Sequence, residues 1–220
     1  MHVDSPPGSE PDLGKLAADI EPSDGRAARS HRTRRAIVDA MRALHAEGDL
    51  RPTVPRIAAR AGVSLRTVWQ QFADRDALLL EAVRRDREIQ RSLVGKIDQN
   101  QPLADRIEAF IGQRTRVLEV MTPTWRAARV HQPLSAELRG DRKKRNAGAR
   151  AEVEQVFAPE LGKLDNRERE LLASALHAIT LWAFWESLRT DLELSPQAAR
   201  DVLTSTFTGL LRQAGFETDS

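Results

Sequence analysis

The stretch IAARAGVSLRTVWQQF, residues 57–72, decides the fold. Apolar residues recur in it at helical intervals, yet two arginines, two glutamines, a serine and a threonine share the same short run. Thr53 stands where a helix N-cap belongs, and Pro55 falls in the first turn, where proline is tolerated. Ile57, Ala58 and Ala61 then mark one apolar face, and Gly62 closes the helix as the residue after its last turn. Ser64 caps a second helix, whose inner face is Val68 and Phe72 at i, i+4. Two short helices joined by a tight glycine turn, the second polar outside, describe a helix-turn-helix.

Outward from this core the signal stays helical. Ile37, Ala40, Met41 and Leu44 follow an i, i+3, i+4, i+7 stripe in a helix expected from about Arg29 to Gly48. After the break at 73–76 a longer helix carries Leu78, Leu79, Ala82 and Val83. Pro102 opens a helix with Phe110, Ile111 and Leu118, and "TPT" at 122–124 punctuates it before a short helix holding Trp125 and Val130. Pro133 opens another, loosened near Gly140 and Gly148 and running to Phe157. "APELGKLDN" reads as a loop, and helices at about 165–190 and 195–215 end the chain. No alternating β-branched runs occur, so no strand is expected. The expected fold is all-α: a three-helix helix-turn-helix unit over 26–76 and a larger helical bundle over 77–220. Residues 1–25, rich in Pro, Gly, Ser and acids, are expected to be a disordered acidic tail.

Charge is unevenly spread. Residues 1–25 carry six acids against Lys15, whereas 26–76 carry eleven arginines against five acids, in a chain of net charge only +2. A local positive field implies either an anionic partner or a solvated arginine-rich face. No cysteine is present, so thiolate and disulfide chemistry are excluded. No apolar run approaches the roughly 20 residues of a membrane helix, and the N-terminus lacks a secretory pattern. A cytoplasmic protein without membrane contact is expected.

A helix can enter the DNA major groove, where base edges present donors and acceptors. Val63, Val68 and Phe72 would anchor such a helix, leaving Leu65, Arg66, Thr67, Trp69, Gln70 and Gln71 for bases and phosphates. Residues 32–83 resemble the DNA-binding domain of TetR-type transcriptional regulators. The features that carry the resemblance are Arg34, Ile37, Gly48, Thr53, Ile57, Ala58, "AGVS" at 61–64, Thr67, Phe72, Asp74-Arg75 and Leu78, in fixed order. The rest of the chain matches in helical character alone. The resemblance implies base contacts at Leu65, Arg66 and Gln70, and phosphate contacts at Thr53, Thr67, Trp69, Gln71 and Arg75. A guanidinium matches guanine O6 and N7 bidentately, which makes Arg66 the expected guanine reader. Two positions depart from the family pattern, which has tyrosine at 69 and histidine at 71; operator preference is what these put in doubt. Each position also has a plainer reading. Ser64 is a cap rather than a base reader. Trp69 either touches DNA or packs on Phe72 or the fourth helix, and Gln70 either reads a base or is solvated. The basic segment 26–35 is either a minor-groove arm, led by Arg32 and Arg34, or solvated charge.

The helix at 165–190 is apolar nearly all round, which is natural if one face meets a second copy of the chain. With the last helix and its small residues Ala198, Ala199, Ser205 and Gly209, it resembles the family's dimerisation pair. A two-fold homodimer would place two reading helices on the half-sites of a pseudo-palindromic double-stranded operator. The family further implies a small-molecule effector inside the bundle. Candidate pocket residues are Phe110, Arg114, Met121, Trp125, Val130, His131, Val153, Phe157, His177, Thr180 and Trp182, each of which has core packing as its alternative. The basic run 139–150 reads as an exposed loop or helix face. No enzyme signature is present: no G-x-S-x-G, phosphate loop, dinucleotide fingerprint or H-E-x-x-H. The five histidines lack metal-ligand spacing, so neither metal nor cofactor is expected. The expected function is a ligand-released transcriptional repressor. The alternative is a helical ligand-binding or protein-interaction module with altered or lost DNA binding.

Overall fold

A computed structural model describes residues 21–218. Ten α-helices are present among them and no strand: α1 Glu21–Ala46, α2 Val54–Ala61, α3 Leu65–Gln71, α4 Arg75–Leu93 and α5 Leu103–His131, followed by α6 Ala136–Val156, α7 Ala158–Leu161, α8 Asn166–Ile179, α9 Trp182–Glu186 and α10 Pro196–Gln213. The first twenty residues of the expected tail lie outside the described residues. Residues 21–25 are not tail but the first turn of α1.

The N-terminal unit is built as its sequence requires. The α1 stripe Ile37, Ala40, Met41 and Leu44 is buried against Ile57 and Ala58 of α2 and Val68 of α3. Gly62 adopts φ +67, a left-handed conformation that costs a Cβ-bearing residue about 1 kcal/mol or more. It lets the chain leave α2 and start α3 after only Val63 and Ser64. Ser64 caps α3 by accepting from Thr67 N at 3.1 Å, and Asp74 caps α4 by accepting from Ala77 N at 2.7 Å. The first core does not stop at residue 76. Leu78, Leu79, Ala82 and Val83 of α4 belong to it, as do Ala127, Ala128 and Leu138 from the second half of the chain. The start of α4 is therefore a rigid strut rather than a linker.

Four expectations in the C-terminal half are corrected. Helix α5 runs unbroken through Pro123. Proline there removes one backbone donor, but Thr122, Thr124 and Trp125 around it are buried, and this packing outweighs the loss. Helix α6 is continuous across Gly140 and Gly148. The expected loop after it contains α7, held by buried Glu160, whose carboxylate takes both Nη atoms of Arg106 at 2.8 and 2.5 Å. The helix expected over 165–190 is two segments bent by 44°. Thr180 turns its hydroxyl back to the His177 carbonyl at 2.9 Å, and Leu181 is extended. The bend distributes the apolar residues. Leu172 and Leu176 of α8 join a core with Phe110, Phe157 and Phe207, whereas Trp185 and Leu188 join another with Trp125 and Met121.

Candidate nucleic-acid interface

Helix α3 shows the protein's surface a face with few internal duties. Arg66 and Gln70 are exposed and have no hydrogen-bond or ion-pair partner among the described residues. Trp69 is 49% exposed and Leu65 44%, large values for apolar side chains. Trp69 makes no ring contact with Phe72; that ring is covered instead by the Arg34 guanidinium at 4.2 Å. Thr53 caps α2 by backbone conformation without a side-chain bond, so its exposed hydroxyl is unengaged among the described residues. Thr67 shares a 2.8 Å hydroxyl contact with Ser64.

Three further expected contact residues have partners elsewhere in the subunit. Arg34 donates to the Gln71 carbonyl at 2.5 Å, satisfying a free carbonyl at the end of α3, and it faces Glu81 at 3.3 Å. The Gln71 amide donates to Ser30 Oγ at 3.1 Å. Both contacts tie α1 to the end of the reading helix. Arg75, half-buried, turns to His131 at the end of α5, with Nη2···Nε2 at 3.5 Å. The structure thus puts Arg34 and Arg75 in supporting positions around α3.

Beneath this surface lies a buried polar joint that the sequence did not disclose. His45 of α1 is 2% exposed, and neither ring nitrogen has a hydrogen-bond partner. Burial pulls it down to about 4, against the opposing field of Asp49. Asp86 of α4, 1% exposed, accepts from Arg42 Nε at 2.8 Å. Burial outweighs that ion pair and pushes its carboxyl up to about 7. His131 is lowered by burial and then by Arg75, with Asp76 acting the other way.

Residues 37–82 match the family of bacterial regulatory proteins known as the tetR family. The chain thus carries, over residues 37–82, a segment similar to the DNA-binding part of tetR-family regulatory proteins. Its matched segment spans α1 to α4 and contains the helix-turn-helix just described. Solved structures agree on the fold. A protein from Pseudomonas aeruginosa PAO1 assigned as a transcriptional regulator superposes with a TM-score of 0.64 at 23% identity, covering 82% of this chain and 91% of its own. A transcriptional regulator from Rhodococcus sp. Rha1 gives 0.64 at 20%, covering 86% and 98%. A protein from Mesorhizobium loti MAFF303099 assigned to the TetR-family regulators gives 0.57 at 18%, covering 84% and 98%. No curated protein matches the chain. No single helix among the described residues is long and apolar enough to cross a membrane.

The residues expected to line one pocket are dispersed. Phe110, Met121, Val153 and Phe157 are fully buried core, with Phe110 and Phe157 edge-to-face at 5.4 Å. Arg114 is buried and paired with Glu152 at 2.5 Å. His131 sits at the joint with Arg75, and half-buried His177 is lowered by burial and by Arg150 and Arg114. Only Trp125 and Trp182 line one cleft together, of about 180 Å³, between α5, α6 and the α8–α9 bend. Arginines on α6 complete it, in the run read from sequence as merely exposed. The available signal was a stripe: Leu138, Asp141, Arg145, Ala149, Val153 and Val156 recur at three and four, so two charged residues share the buried face.

Proposed function

We propose that the protein is a dimeric repressor that reads a pseudo-palindromic operator with α3 and is released by a small molecule held in the C-terminal helices. The observation that carries this reading is the outer face of α3, where Arg66, Trp69 and Gln70 stand exposed without internal partners. In this reading Leu65, Arg66 and Gln70 meet base edges, with Arg66 on guanine. Thr53, Thr67, Trp69 and Gln71 meet phosphates. Arg34 and Arg75 act from behind, fixing the end of α3 and the start of α4. The reading unit takes in residues 26–76 together with the first turns of α4, and the remaining helices form the sensing and dimerising part.

The dimer is supported by an unpartnered apolar face. Leu171 is 70% exposed on α8. Between α8 and α10 lies an open groove of about 560 Å³ lined by Leu164, Leu171, Ala175, Leu210 and Ala214. Val202, Ser205 and Gly209 are exposed on the neighbouring surface of α10. A Cβ added at Gly209 meets nothing within 4 Å, so the subunit itself has no use for glycine there; close approach of a second helix would.

Effector action would run through α4. This helix leaves the end of α3 and packs along α5, so a ligand that favours one setting of α4 also favours one spacing of the two reading heads. It shifts the equilibrium only by its differential affinity for the two settings. The test is selection of bound fragments from random and genomic DNA with the purified dimer. An enriched inverted repeat is expected. A folded, dimeric protein that enriches nothing, even after unfolding and refolding to strip any co-purified ligand, would leave the interaction-module alternative.

A further inference from the structure

We propose that the cleft at Trp125 and Trp182 is a site for a small aromatic carboxylate of about one ring. The proposal names the effector class for the regulator reading above and rests on it. The cleft's walls are two indoles set edge-to-face, centroids 6.5 Å apart at 87°. Its polar side is cationic. Arg145 lies 4.3 Å over the Trp125 ring and Arg129 lies 5.6 Å from the Trp182 ring. Arg142 also lines it, without a hydrogen bond or ion pair among the described residues.

Against these three guanidinium groups the cleft offers one carboxylate, Asp141. That carboxylate is already shared between Arg87 of α4 and Arg145, the latter at 3.3 Å. The local balance therefore lacks an anion. A second observation is independent of charge: Trp125, a residue of the cleft wall, carries a buried indole N–H with no hydrogen-bond partner, an unmet donor beside the cleft. Size sets the rest. The volume of about 180 Å³ falls short of a typical drug-sized pocket, roughly 300–1,000 Å³. It resembles the roughly 150 Å³ apolar cavity that accepts benzene. Aromatic walls favour a ring, and the planar guanidinium forks favour a carboxylate.

The position suits regulation of the same equilibrium. A ligand carboxylate that draws Arg145 away leaves Asp141 to Arg87 alone, and Arg87 stands on α4, the strut behind the reading helix.

The test is calorimetric titration of the full-length protein, without DNA, using benzoate, its neutral isostere benzamide, and inorganic phosphate. Saturable benzoate binding is expected, with benzamide weaker by about tenfold or more. Arg142→Gln, which removes a side chain with no role in the fold, should weaken benzoate about tenfold and leave benzamide and the melting temperature unchanged. Arg145→Gln should do the same to benzoate, with some loss of stability because it also releases Asp141. Absent benzoate binding, equal affinity for benzoate and benzamide, phosphate binding as tightly as benzoate, or an Arg142→Gln protein that binds like wild type would each overturn the proposal. A protein that selects an inverted repeat but ignores benzoate loses this inference alone. One that binds benzoate but selects no DNA loses the regulator reading alone.

Discussion

At the residue scale the informative contrast is between Arg34 and Arg66. Both lie in the basic block, and sequence alone offers both as DNA contacts, Arg34 with solvated charge as its alternative. The structure separates them by their partners. Arg34 has three internal ones: the Phe72 ring, the Gln71 carbonyl and Glu81. Arg66 has none among the described residues. Arg34→Ala is therefore expected to destabilise the fold by about 1–3 kcal/mol, the sum of a cation–π contact and a charged bond to a helix carbonyl, reduced by partial exposure. Chemical denaturation reads this directly. Unchanged stability with uniformly weaker DNA binding would instead make Arg34 a groove-entering arm.

At the element scale, the short helices were legible because their boundaries are written in local chemistry. Thr53, Pro55, Gly62 and Ser64 are caps and turn residues whose preferences are intrinsic. The long helices were less so. Pro123, Gly140 and Gly148 look like breaks, yet the buried residues that run past them in each helix override them, and burial is a tertiary property. The buried joint between α1 and α4 was invisible for the same reason: His45 and Asp86 are unremarkable in sequence and become unusual only when desolvated. Their opposed shifts give a pH prediction. His45 is depressed from 6.5 to about 4, so its share of stability is present above pH 6.5 and is lost as pH falls toward 4. Asp86 is raised from 3.8 to about 7, so its share is present below pH 3.8 and is lost as pH rises through 7. Between these limits the two nearly cancel. Asp86→Asn should unmask His45, giving a fall of about 2 kcal/mol in unfolding free energy from pH 7 to pH 5 that a second change, His45→Gln, removes. Identical pH profiles for Asp86→Asn and the double variant would contradict this account of the joint.

At the scale of the whole molecule, sequence foresaw an all-α chain with an apolar pair of helices near its end, but took those helices for one straight element and its partner. The 44° bend at Thr180 changes what is left uncovered: Leu171 on α8 and the Val202–Gly209 surface of α10. The dimer reading predicts that Gly209→Leu and, separately, Leu171→Glu yield folded monomers by sedimentation. Leucine at an exposed helical position favours the isolated helix by roughly 0.5–1 kcal/mol over glycine, so monomerisation by Gly209→Leu would not reflect misfolding. Two variants that remain dimeric would place the interface elsewhere. The pocket was the least legible feature, because eleven dispersed candidate residues look alike in sequence while packing admits only Trp125 and Trp182 to the cleft. The central claim remains the outer face of α3. Its most direct test is binding of wild type and Arg66→Ala to the selected inverted repeat and to every single-base change in one half-site. The account predicts a loss of about 1–3 kcal/mol on the parent site and a flattened preference at one base pair per half-site. An Arg66→Ala protein whose affinities across the whole panel equal those of wild type would contradict it.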